Sequence, residues 1–384
     1  MKSSRQSFHE RHEVFTDIIY RSPGMLPSRY VLVLTNLCNL RCHFCFQKKD
    51  LRQDRMTLKD WMKLIEQLPP YARVTLTGGE PLMFPEFKEA FAFVAQRFDC
   101  NMISNGLLLN EDTTDFLLSY PRFRVLSISV DDFKNKVRGV SERQWGRCEK
   151  MLRYFVQHKK KQNSSCILEV KTVILDENAA YLFDLYRYCM EELGCDQFSF
   201  QFLKGSPIQH ADEMFPLEDI LKKSHAVVYQ KFDTIKEQLE KVRQYNVRFG
   251  KEAFLHPKVS SLISEEPIGS MDFLNEREHL KEHYQSCRFP WSSVHINVDG
   301  ELFPCLAVSM GNVKRMPLAE IIHGKEFCRF KDLIHREGTV EGCNRCGWLR
   351  PVKEGKRTPQ AFLPGLEILY GEEQNVSGGK QCLK

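Results

Sequence analysis

Between Tyr30 and Leu203, short apolar runs alternate with helix-length amphipathic stretches, and this rhythm constrains the fold more than any other feature of the chain. YVLVLT (30–35), RVTLT (73–77), NMIS (101–104), VLSISV (125–130), LEVKTVIL (168–175) and QFSFQFL (197–203) are rich in β-branched and aromatic residues and bounded by turn residues, as strands are. TLKDWMKLIEQL, PEFKEAFAFVAQRF, EDTTDFLLSY, ERQWGRCEKMLRYFV and NAAYLFDLYRYCMEEL carry apolar residues three and four apart, as helices packed on a sheet do. Repeated βα units predict an α/β protein with a parallel sheet and right-handed crossovers. Six units fit either a partial barrel or an open doubly wound sheet. Both place the active site at the C-terminal ends of the strands.

Beyond Leu203 the character changes. A helix is predicted from Leu217 to Val242, followed by a stretch at 257–272 with several Pro, Ser and Glu residues. From Cys287 onward the pattern is one of short strands: VHINV and ELFPC flank Asp299–Gly300, a two-residue hairpin turn, and two short helices, LAEIIHG and EFCRFKDLI, precede GCNRC. The reading divides the chain into an N-terminal extension (1–29), a core (30–205), a bridging segment (206–284), a cysteine-bearing domain (285–350) and a tail (351–384).

The net charge of +5, in a chain that is 27% charged, does not make nucleic acid a default partner. Lys159–Lys161 read as a solvated turn. No run of eighteen apolar residues occurs, and MKSSRQSFHERHEVF lacks the apolar core of a secretory signal, so no membrane partner and a cytoplasmic location are expected. In a reducing compartment, clustered cysteines are more often metal ligands than disulfides. The spacing of the fourteen cysteines is therefore more informative than their number.

Cys38, Cys42 and Cys45 follow the first strand in TNLCNLRCHFCF. Three thiolates on so small a loop can converge, and soft sulfur suits an iron–sulfur cluster or zinc. A structural zinc needs a fourth ligand, which this loop does not supply, and His43 sits directly beside Cys42. Three ligands leave one iron open. Here the chain resembles the radical S-adenosylmethionine (SAM) superfamily, whose CxxxCxΦC signature has an aromatic residue where Phe44 stands. The resemblance implies a partial (β/α)6 barrel and a [4Fe–4S] cluster whose open iron chelates SAM. An electron entering that cluster, from a flavodoxin or ferredoxin for instance, cleaves SAM to methionine and a 5′-deoxyadenosyl radical. That radical then abstracts hydrogen from the substrate.

Gly78-Gly79-Glu80-Pro81, after the second strand, matches the family's GGEP element, which contacts the SAM amino group; glycines allow close backbone approach, and a carboxylate accepts from an ammonium. Ser104-Asn105, Ser129 with Asp131, and Arg138 resemble elements that hold the ribose hydroxyls and carboxylate of SAM, and Ile174 stands at an adenine-contact position. Substrate contacts are expected from the fifth and sixth strand ends, with Lys171, Gln201 and Lys204 as candidates.

Cys287, Cys305, Cys343 and Cys346 form a second set, which the hairpin would bring together around zinc or a fully ligated [4Fe–4S] cluster. Their spacing resembles the start of the SPASM/twitch extension of radical SAM enzymes. No further cysteine follows Cys346 until Cys382, which implies the shorter, twitch-like form with one auxiliary cluster. The other seven cysteines carry no ligand spacing and read as small core residues. Among reactions, the resemblance puts first the dehydrogenation of a small polar substrate, such as a sugar or aminocyclitol alcohol, with the auxiliary cluster as electron acceptor. The alternative is maturation of a ribosomally made peptide by thioether formation, crosslinking or epimerisation. Only 29 residues precede the first strand, too few for a fused peptide-recognition domain, so peptide work would call for a separate recognition protein.

Overall fold

A computed structural model describes residues 4–47, 55–222, 224–251, 253–255, 271–275, 278–350 and 352. The six expected strands are present as β1 (Arg29–Val33), β2 (Arg73–Thr77), β3 (Asp99–Ser104), β4 (Phe123–Ser129), β5 (Ile167–Val173) and β6 (Gln197–Gln201). They lie side by side in chain order, all parallel. A doubly wound sheet reverses its order at a switch point; this one never does, so every right-handed crossover puts its helix on the same face, as in a barrel. The sheet does not close, which makes the barrel partial.

The crossover helices are α2 (Leu58–Ile65), α3 (Phe87–Ala95), α4 (Glu111–Leu118), α5 (Glu142–Lys161) and α6 (Leu182–Arg187); a further helix, α1 (Ser4–Arg21), precedes β1. Side chains fix where several of them begin. Thr57 with Asp60, and Ser141 with Gln144, close capping boxes, and the Asn110 carboxamide accepts from Thr113 N–H. Their apolar sides bury Trp61, Phe91, Phe155 and Tyr186 against Leu32, Leu76, Met102 and Val170 of the sheet. The opposite face of the sheet is polar. Register places Arg29 beside Arg73, Ser127 beside Glu169, and Ser129, Lys171 and Ser199 in one row. This polar face lines the lumen.

The sheet extends beyond both ends of the core. β7 (Phe254–Leu255) adds in parallel to β6. β8 (Ser293–Ile296) adds in parallel to β1, from Arg29↔Ser293 to Leu32↔Ile296, and leads through the Asp299–Gly300 turn to β9 (Glu301–Phe303) and β10 (Gly311–Asn312). Gly300 takes φ +88° in that turn, as the reading requires. The cysteine-bearing segment thus continues the core sheet. α1 straps across the junction, with Thr16 Oγ1 2.7 Å from Ser292 Oγ and Arg288 donating to Asp17 at 3.1 Å.

The helix predicted over Leu217–Val242 is corrected. A 3₁₀ turn covers Leu217–Leu221, the described residues between 222 and 231 form no helix, and α7 spans Phe232–Phe249. Distant partners capture the backbone in between: His225 N–H donates to Gly205 O, Val227 N–H to the Asn275 carboxamide, and the Gln230 and Lys231 N–H groups to the Asp176 carboxylate. Periodicity cannot register such long-range competition. Residues 257–270, the 351–384 tail apart from Val352, and Cys382 lie outside the described residues. No helix among the described residues is long and apolar enough to cross a membrane.

Candidate functional site

The GGEP turn after β2 and the cysteine loop after β1 are built as one unit. Gly79 N–H donates to Thr35 O and Glu80 N–H to Leu37 O, both at 2.8 Å. A Cβ on Gly78 would lie 2.4 Å from Thr35 O, and one on Gly79 would lie 2.3 Å from Leu37 O. The close approach these glycines permit is thus to the backbone that carries the cysteines. Pro81 then opens a short 3₁₀ turn, with Glu80 accepting from Leu82 N–H.

Glu80 is wholly buried. Its carboxylate accepts from Ser104 Oγ and Asn105 N–H, each at 2.8 Å, which locks the turn after β2 to the turn after β3. Burial pushes the carboxyl up to about 7, opposed by those hydrogen bonds. The sequence reading assigned this carboxylate to an ammonium group; here it engages the neighbouring turn, and Ser104 and Asn105 are its partners. Asn105 also donates from Nδ2 to Asn39 Oδ1 at 2.7 Å and reaches Cys38 Sγ at 3.8 Å.

Asp131, equally buried, lies 2.5 Å from Arg138 Nε and accepts from Val173 N–H at 2.7 Å. Burial raises its carboxyl, with the guanidinium opposing. Arg138 reaches on to Cys42 Sγ, 3.8 Å from Nη1, and stands over the Phe44 ring at 5.1 Å. Ser129 gives its backbone carbonyl to Asn135 Nδ2. Ile174 is wholly buried, its N–H on Gln201 O and its carbonyl on the Tyr229 hydroxyl.

The structure therefore gathers every expected SAM-site residue at the C-terminal ends of β1 to β5. Two of the three half-buried thiols face N–H donors from other elements, an environment suited to thiolates. His43 turns outward to Glu177, 3.5 Å away.

Cys287, Cys305, Cys343 and Cys346, with Phe289 and Trp348, line a single cavity. Val340 N–H points at Cys343 Sγ and Trp348 N–H at Cys346 Sγ, both at 3.5 Å. Burial pushes the Cys287 thiol up to about 12 and raises Cys305 and Cys346 as well, with neighbouring thiols adding to the rise at Cys287 and Cys305. Crowded buried thiols of this kind become thiolates only around a positive centre. Among the described residues no three His, Cys, Asp or Glu side chains close on a single ion. A four-iron cluster holds its thiolates further apart than one ion does, and both cysteine sets fit that group by donor chemistry.

Sequence reasoning missed the lacing of the second cysteine set to the segment after β6. The segment after β6 lies on the CxxC knuckle: a Cβ on Gly205 would fall 1.9 Å from Asn344 O, Arg345 donates to Leu203 O at 3.2 Å, Gln209 donates to Asn344 O at 2.8 Å, and His210 N–H donates to Cys305 O at 3.1 Å. It also missed Glu169, a buried lumen carboxylate that accepts from Ser127 Oγ at 2.6 Å and Ser199 Oγ at 2.5 Å and pairs with Lys171 at 3.5 Å. Charged residues at alternate positions of LEVKTV were the available signal. Of the predicted substrate contacts, Lys171 has Glu169 as partner, Gln201 stands half-buried at the end of β6, and the Lys204 ammonium lies 5.2 Å above the Phe46 ring.

Comparison with known proteins gives two domain matches: residues 32–168 match the Radical SAM superfamily, and residues 287–347 match SPASM, an iron–sulfur cluster-binding domain. Among curated relatives, the sporulation killing factor maturation protein SkfB of Bacillus subtilis (strain 168) is 29% identical over 51% of this chain and 47% of its own. The antilisterial bacteriocin subtilosin biosynthesis protein AlbA of the same organism is 24% identical over 33% of this chain and 29% of its own. The chain thus spans less than half the length of these relatives. Among solved structures, Streptococcus suis SuiB bound to the precursor peptide SuiA superposes with a TM-score of 0.57 at 16% identity, covering 79% of this chain and 66% of that one. The AdoMet-bound anSMEcpe superposes at 0.54 and 15% identity, over 84% and 86%. At these identities the two structures speak for the fold alone.

Proposed function

Because this chain is a radical SAM superfamily enzyme with a SPASM-type iron–sulfur domain, we propose that it matures a ribosomally made peptide, closing a thioether or other crosslink with net loss of two hydrogens. The two domains imply SAM and iron–sulfur clusters as cofactors. The observation that carries the peptide reading is the likeness to SkfB, supported by AlbA; both are named for making a killing factor or a bacteriocin. The sequence had placed oxidation of a sugar or aminocyclitol alcohol first and peptide modification second. The relatives reverse that order.

In this reading Cys38, Cys42 and Cys45 hold the SAM-binding cluster, and Cys287, Cys305, Cys343 and Cys346 hold the auxiliary one. Bound SAM and its cluster supply hydrogen-atom abstraction. The chain's own residues supply geometry: Gly78, Gly79 and Pro81 shape the turn beside the cysteine loop, Glu80 fixes that turn to Ser104 and Asn105, and Asp131 aims Arg138 at Cys42 and Phe44. Ser129 and Ile174, at the ends of β4 and β5, would complete the SAM site. Joining a substrate carbon radical to a substrate thiol forms a C–S bond and releases one electron and one proton. A cluster held by Cys287, Cys305, Cys343 and Cys346 would supply the acceptor for that electron, and water would take the proton. A flavodoxin or ferredoxin is the expected source of the electron that starts each turnover.

The test is anaerobic incubation with SAM, a reductant and candidate precursor peptides sought in the genomic neighbourhood of this chain's coding sequence. The peptide is expected to lose two hydrogens, with one 5′-deoxyadenosine formed per modified peptide. An unchanged peptide, alongside a sugar or aminocyclitol alcohol that loses two hydrogens, would restore the small-substrate reading.

A further inference from the structure

We propose that Lys204 sets the reduction potential of the auxiliary centre, a role that rests on the reading of the four downstream cysteines as cluster ligands. Lys204 lies in the segment pressed onto the CxxC knuckle. Its neighbour Gly205 packs bare against the Asn344 carbonyl, and its own carbonyl accepts from Arg345, the residue before Cys346, at 3.5 Å. The backbone is therefore fixed relative to two of the four cysteines. The Lys204 ammonium makes no hydrogen bond or ion pair among the described residues; it lies 5.2 Å above the Phe46 ring, next to Cys45. The groups that favour its charge are Cys346 and Cys305, as thiolates, while Lys171 and Arg29 repel it. Burial lowers its affinity for a proton, and the two cysteines oppose that.

A half-buried ammonium with no carboxylate partner among the described residues is favoured by a negative centre close by. Four thiolates around a four-iron cluster provide one, and charge near such a cluster shifts its potential. Reduction adds one electron to the cluster, and a fixed cation stabilises the reduced form more than the oxidised form. Lys204 thereby makes the auxiliary centre a better acceptor for the electron released when the substrate bond closes. It is a positioning residue, acting through the cluster.

The experiment is an EPR-monitored redox titration of the anaerobically reconstituted full chain, comparing wild type with Lys204→Gln, Lys204→Met and Lys204→Arg. In the Gln and Met variants the auxiliary midpoint is expected to move to a more negative potential, while Lys204→Arg stays near wild type. A fully loaded Gln or Met variant with an unmoved auxiliary midpoint overturns the proposal; if its substrate KM rises at the same time, the ammonium belongs to a substrate carboxylate. Loss of the second cluster in both neutral variants overturns it in favour of a structural lysine. Zinc in place of the second cluster in wild type would instead defeat the cluster reading itself, and metal analysis before the titration separates that outcome.

Discussion

Glu80 is a motif carboxylate that the fold buries completely and hydrogen-bonds to the turn after β3. Burial raises its carboxyl from 4.5 to about 7, although three hydrogen bonds favour the charged form. The folded protein therefore holds this proton more tightly than the unfolded chain does. The resulting stability is complete below about pH 4.5 and is lost as the pH rises through about 7. From about pH 5 to about pH 8, wild-type protein free of SAM and iron should lose roughly 2–3 kcal/mol that Glu80→Gln does not lose. Urea unfolding of both proteins at the two pH values measures the difference; parallel losses would show that Glu80 ionises as an ordinary surface acid. The motif was legible in the sequence because a GGEP turn after a strand is a local pattern. The burial of its carboxylate under Ser104 and Asn105 was not, since it depends on how the turn after β3 meets the turn after β2.

At the scale of elements, the segment leaving β6 holds the second cysteine set. Leu203 to His210 is tied at Gly205 and Gln209 to the knuckle and at His210 to Cys305. A methyl group on Gly205 has no room beside Asn344 O, so Gly205→Ala must move one backbone off the other. That variant is expected to retain the first cluster and 5′-deoxyadenosine formation while losing about half of its iron; iron analysis alongside SAM cleavage reads both. Full iron content in Gly205→Ala would mean that the lacing does not hold the knuckle. The six strands, their helices and the Asp299–Gly300 hairpin could be read from periodicity and turn residues, because those signals are local. The break between Leu221 and Phe232 could not. There, Asp176, Gly205 and Asn275 capture backbone donors that a helix would otherwise use, and nothing in the local pattern records them.

For the whole molecule, the decisive feature is one continuous sheet. β8 hydrogen-bonds to β1, so the hairpin that carries Cys305 and the strand that feeds the Cys38–Cys45 loop are neighbours. The sequence presented these as a core and a separate C-terminal unit, because a four-residue strand 264 positions from its partner leaves no pairing signal. The sheet thus feeds the first cysteine loop from β1 and presents Cys305 from the neighbouring hairpin. Reconstituted wild type should bind about eight irons in two clusters. The most direct measurement is 5′-deoxyadenosine formed from SAM under anaerobic reducing conditions by wild type and by the variant with Cys38, Cys42 and Cys45 all changed to Ala. Wild type should form it, and the variant should form none while keeping the iron of the second cluster; a variant that still forms 5′-deoxyadenosine would contradict the assignment of that loop as the SAM-cleaving centre.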